Sequence, residues 1–174
     1  ESLAGLQLAI LELERRSPDA ALARTAAIAG TVAKMGEGSE APACAAINAV
    51  ARLMRGDKDA LADVDAAVST LERIDAKGLL ALALNFVAEL DLDASRWADA
   101  ERRGTRALAA AERIGRPNQV AVAHAVLARA AAATGRSAEA KAHLDAMKEL
   151  AETPLALSFR ARAALAAAAS RLAT

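Results

Sequence analysis

Aromatic residues are scarce: with no Tyr, two Phe and one Trp they make up 2% of 174 residues. That excludes a core of packed rings, and with it a nucleic-acid surface in which bases stack on aromatics between basic groups. Cysteine is almost absent. One Cys excludes an internal disulfide and argues for a reducing compartment, so a cytoplasmic protein is expected. Cys44, set among Ala and Ile, reads as a small buried apolar residue rather than a nucleophile. Only four prolines occur, and β-branched residues are too sparse for a sheet. No stretch of about 20 uncharged apolar residues offers a membrane span. The longest alanine-rich run, Ala163 to Ala169, lies between Arg162 and Arg171. Net charge is lacking too: 22 basic residues balance 22 acidic ones, which removes the electrostatic case for nucleic acid or an anionic membrane.

Alanine takes the place of the missing bulk. It is the best helix former and has almost no rotamer entropy to lose, so an all-α protein with closely approaching helices is expected. The chain opens on Glu1 rather than Met, and we expect a segment of a longer protein.

Four segments share one pattern, an apolar helix, a polar turn and a second helix with Ala in its first turn. The closing alanines are Ala21, Ala60, Ala100 and Ala140, at spacings of 39, 40 and 40 residues. Thirteen residues before each stand Leu8, Ile47, Val87 and Leu127, followed by the short residues Ala9, Asn48, Ala88 and Ala128. Seven residues after each stand Ile28, Ala67, Ala107 and Met147. Stop and start signals separate the units: Gly36 and Gly38 before Pro42, Gly78 after Ile74 and Asp75, Gly115 before Pro117, and Thr153-Pro154 after Leu150. The pattern predicts helices at roughly 2–15, 18–35, 41–55, 58–75, 78–92, 96–114, 118–134, 137–151 and 154–173.

The fourth unit resembles the tetratricopeptide (TPR) repeat. It has a large and a small residue in the first helix, Leu127-Ala128, then Gly135, the acidic–Ala pair Glu139-Ala140, and apolar Leu144 and Met147. The third departs at Ser95 and Gly104 and the first at Thr25, where the family has a turn Gly and large apolar residues. Units of 39–40 residues exceed the usual ~34. They are similar to the helical repeats of large bacterial signalling ATPases and MalT-type transcription regulators. The resemblance implies a right-handed superhelical stack of antiparallel hairpins over 1–174, with repeats at 1–38, 39–77, 78–116 and 117–153 and an extra helix at 154–174. First helices would line a concave groove, which fits the wholly apolar run Leu79 to Leu84 as an inner helix. The mostly Ala face of the last helix fits a continuing array or a dimer contact better than a polar cap.

No catalytic constellation is visible. There is no phosphate loop, no nucleophile elbow and no zinc motif; His124 and His143 stand 19 residues apart on different predicted helices and read as helix-surface or groove residues. Asp91 and Asp93 read as a solvated helix end, with Arg96 the nearest partner for Asp93. Arg96, Arg102, Arg103 and Arg106 read as a solvated outer face. Trp97 fits packing between hairpins. Neither an enzyme nor a bound cofactor or metal is expected. The expected function is binding of a protein or peptide in the concave groove through Asn48, Arg52, Asn85, Glu89 and Arg129, flanked by Leu82, Val122 and Ala125. The rival is a domain that senses a small effector within a larger bacterial regulator.

Overall fold

The computed structural model describes residues 2–34, 38–152 and 157–172. Within them 85% of residues are helical and none is in a strand. The described residues form α1 (Ser2–Glu14), α2 (Pro18–Lys34), α3 (Glu40–Met54), α4 (Ala60–Arg73), α5 (Lys77–Asp93), α6 (Trp97–Arg113), α7 (Pro117–Ala133), α8 (Ser137–Glu152) and α9 (Phe159–Leu172). The expected boundaries hold within about two residues except at α9. That helix starts at Phe159 because Ser158 caps it, its Oγ accepting from the Ala161 amide at 3.2 Å. The expected start at Pro154 lies outside the described residues, as do Met35 and Gly36. No described helix is long and apolar enough to cross a membrane.

One turn recurs six times. After α1, α3, α4, α5, α6 and α7 a left-handed residue ends the helix: Arg16, Gly56, Asp75, Ser95, Gly115 and Gly135, with φ between 57° and 93°. The next amide in each case reaches back five residues to a carbonyl, from Ser17 to Glu12, Asp57 to Arg52, Ala76 to Leu71, Arg96 to Asp91, Arg116 to Ala111 and Arg136 to Ala131, at 2.8–3.1 Å. This satisfies carbonyls that the helix itself leaves open and reverses the chain within three residues. Arg16, Asp75 and Ser95 adopt a conformation that glycine takes without strain and they do not.

Contacts divide the chain into two compact units, 1–83 and 84–174, with the boundary inside α5. In the first, α1 packs on α2 and α3, α2 on α3, and α3 on α4. In the second, α7 is central, against α6, α8 and α9. Here α9 closes over Ala121, Val122, Ala125, Leu144 and Met147, burying Ala161 and Ala168 and bringing Leu165 and Leu172 against the cluster. The four closing alanines, Ala21, Ala60, Ala100 and Ala140, are all fully buried. Of the residues thirteen before them, Ile47, Val87 and Leu127 are buried but Leu8 is 40% exposed. Its helix instead buries Leu6, Ala9, Ile10 and Leu13, since no preceding hairpin covers the other side among the described residues. Gly104 replaces a large residue because α6 and α7 approach closely there: a Cβ would stand 3.0 Å from Val126 and 3.2 Å from Leu127. Residues 80–88 are buried without a break, the burial expected of an all-round apolar helix.

Candidate functional site

A cleft of about 590 Å³ lies in the first unit, between α2, α3 and α4. Small side chains make most of its wall, including Ala26, Ala29, Ala33, Ala41, Ala45 and Ala66. The helices therefore leave a trough that their own side chains are too short to fill. Two departures from the repeat pattern meet at its edge. Asn48, in a register otherwise held by alanine, donates through Nδ2 to the Thr25 hydroxyl at 3.0 Å. Thr25, in place of a large apolar residue, is 1% exposed and donates in turn to the Leu22 carbonyl at 3.0 Å. Each polar residue is thus the reason the other is tolerated in a half-dry setting. Cys44 is buried beside them as expected, its Sγ 3.7 Å from the Thr25 carbonyl, and burial pushes its thiol pKa up, away from nucleophilic use.

Arg52 also lines the cleft and is held by two carboxylates. Its guanidinium donates to Asp57 at 2.7–2.9 Å and to Asp63 at 2.6 Å. The hydrogen bonds to Asp57 and then Asp63 raise its pKa, and the same bond lowers that of Asp57. Asn48 and Arg52 therefore lie together at one cleft, which is walled by α2 and α4 as well as α3 rather than by successive first helices.

The other three expected groove residues lie in the second unit, each with an internal partner. Asn85 is fully buried, and its Nδ2 donates to the Gln119 backbone carbonyl at 3.0 Å and to its side-chain oxygen at 2.9 Å. Its Oδ1 has no hydrogen-bond partner among the described residues. Glu89 accepts from Arg160 at 2.9 Å, and that guanidinium lies over the Phe86 ring, 3.7 Å from its centroid. Arg129 stands 3.6 Å from Asp93 and lines a smaller hollow of about 200 Å³ with Leu92, Trp97, Ala132, Ala133 and Arg171. The flanking Leu82, Val122 and Ala125 are all buried. Trp97 packs against Ala88, Leu92, Ala100, Val126 and Ala130, which is the inter-hairpin role expected of it.

Two readings of charged residues need correction. Asp91 is not a solvated helix end: it is fully buried, and Arg103, expected on an outer face, is 4% exposed and donates to it. Arg96 completes the cluster, donating to Asp91 rather than to Asp93 at 2.6–2.8 Å. Arg102 is exposed as expected, paired with Asp99 one turn earlier at 2.8 Å. Arg103 lies three residues after the buried Ala100 and four before the buried Ala107, so the helical period puts it on the inner face of α6, away from Arg102.

The histidines expected apart on the surface meet. Nδ1 of His124 and Nδ1 of His143 are 3.0 Å apart across the α7–α8 hairpin. Burial, and then the neighbouring His143, push the His124 pKa down to about 4; burial also lowers that of His143. Counting outward from the turn at Gly135 would have brought them to nearly one level, since they lie 11 residues before it and 8 after. Nearby, Arg136 bridges Glu101 on α6, at 2.6–2.8 Å, and Glu139 on α8.

Compared with protein-family models, characterised proteins and solved structures, the chain matches none.

Proposed function

We propose that this chain is a protein-interaction module whose first unit takes a peptide segment of its partner in the cleft between α2, α3 and α4. The supporting observation is that cleft: a trough walled by alanine methyl groups, with Asn48 and Arg52 beside it. A wall of methyl groups fits a partner that brings the bulk itself, as leucine or aromatic anchors on a short segment. Asn48 has one amide hydrogen committed to Thr25, and its carboxamide retains capacity to fix a peptide backbone. Arg52, held by Asp57 and Asp63, brings no uncompensated positive charge, so the occupant is apolar and polar rather than acidic. The lack of a catalytic constellation in the sequence favours binding over chemistry.

A second reading has one observation in its favour. The cleft volume falls in the ~300–1,000 Å³ range of small-molecule pockets, which suits a small apolar effector in a larger regulator. The two readings part in one experiment. Peptides selected by display against the chain are titrated into the wild type, Ala45→Trp, which plugs the trough, and Arg102→Ala, on an exposed face. A small-molecule thermal-shift screen runs alongside. Peptide affinity that falls by tenfold or more, about 1.4 kcal/mol, in Ala45→Trp alone supports the module. Peptides indifferent to the plug overturn it, and stabilisation by a small ligand that the plug abolishes moves the assignment to effector sensing.

A further inference from the structure

The second inference concerns the histidine pair and does not rest on the peptide reading. The two imidazoles meet with ring centroids 5.2 Å apart and planes inclined by 43°, and both are partly buried. As a hydrogen bond, the contact uses one Nδ1–H and one Nδ1 lone pair. With both protons on Nε2, both Nδ1 atoms carry a lone pair. Imidazole nitrogens bind Zn²⁺ at about 2.0–2.1 Å, so two of them on one ion stand about 2.9 Å apart at a right angle and about 3.4 Å apart at the tetrahedral angle. The observed 3.0 Å lies within that interval.

We propose that His124 and His143 form a two-imidazole chelate for a borderline-soft divalent cation of the Cu²⁺, Ni²⁺ or Zn²⁺ class, stapling α7 to α8. Among the described residues no three His, Cys, Asp or Glu side chains converge, so the two imidazoles would be all the ligands the protein supplies and water would complete the coordination. Imidazole ligands favour these ions over Ca²⁺ and Mg²⁺, which prefer oxygen.

The full chain, stripped of metal with a chelator, is titrated calorimetrically with CuCl₂, NiCl₂, ZnCl₂ and MgCl₂. Saturable binding of one ion per chain is expected, tightest for Cu²⁺ by the general order of divalent affinities, with none for Mg²⁺. His124→Gln and His143→Gln are each expected to weaken Cu²⁺ binding at least tenfold, the lower end of what even an outer-shell loss costs. Their helicity should match the wild type. In the wild type, the Cu²⁺ paramagnetic resonance spectrum should carry splitting from two equivalent nitrogens. Absence of saturable binding in the wild type overturns the proposal. So does binding that survives unchanged in both variants, which would place the ion elsewhere on the chain.

Discussion

Replacing Arg103 with Met removes one partner of a buried ion pair and leaves the other in place. Asp91 is fully buried and Arg103 only 4% exposed, so solvent does not take over when the guanidinium goes. Loss of one member of such a pair costs about 3–5 kcal/mol, because the remaining charge is buried and uncompensated. Arg96 still donates to Asp91, with its own side chain 40% exposed, so the low end applies: about 3 kcal/mol. In urea, where slopes of about 1–3 kcal/mol/M are typical, that moves the unfolding midpoint down by roughly 1–3 M at unchanged slope. Asp91→Leu alone removes the buried carboxylate that Arg103 and Arg96 both donate to, and a loss in the same direction is expected. The double variant Asp91→Leu/Arg103→Met carries neither charge, frees Arg96 to water, and should recover most of the stability, giving a coupling of several kcal/mol in a double-mutant cycle. A change within about 0.5 kcal/mol for Arg103→Met, the value of an ordinary surface site, refutes the reasoning and returns Arg103 to the outer face.

Ser95→Gly is expected to stabilise the chain by roughly 0.5–1 kcal/mol, since a left-handed residue is strained with a Cβ and not without one, and to raise Tm by about 1–4 °C. Gly135→Ser should do the reverse, and a neutral result for both would mean that these turns do not hold the left-handed conformation. The metal-free chain should lose stability as pH falls from 7 to 5: the folded-state pKa of His124 is depressed to about 4, so its contribution is present above the unfolded value of 6.5 and is lost on the way down to 4. The loss from His124 is about 2 kcal/mol over that interval, and the depressed pKa of His143 adds in the same direction. The carboxylates Asp57, Glu101 and Asp145 have lowered values and contribute only at more acid pH. Chemical denaturation at each pH should show a flatter profile for His124→Gln, and an unchanged profile would refute the burial argument.

The order and ends of the helices were legible in the sequence because they depend on local chemistry. A glycine or short polar residue reverses every turn but the first, where Arg16 does so; alanine in the next first turn lets the helices close, and apolar residues recur at helical spacing. The buried alanines at 21, 60, 100 and 140 follow from that period alone. The last helix was misplaced by five residues because Pro154 is a plausible start by local rules. The cap at Ser158 was visible only where Ser158 also donates its amide to Asn118 on α7 at 2.8 Å.

For the candidate site, the sequence singled out Asn48 and Arg52 but had no means of seeing that Asn48 stands against Thr25, or that Arg52 is held by Asp63 eleven residues on. It also read Asn85 as a groove residue, whereas it is fully buried, because polarity marks a residue as different from its neighbours without saying which way it faces. Helical period and turn chemistry thus determined the all-α class and where each helix lies along the chain. Tertiary structure alone decided which partners the polar side chains meet: Asp91 for Arg103, Phe86 and Glu89 for Arg160, and two histidines within 3.0 Å of each other. The reason is physical. A helix is made by hydrogen bonds four residues apart, which a sequence carries locally, whereas the charge or ring that meets a given side chain comes from another helix, at a level set by how closely the small residues between them let the helices pack.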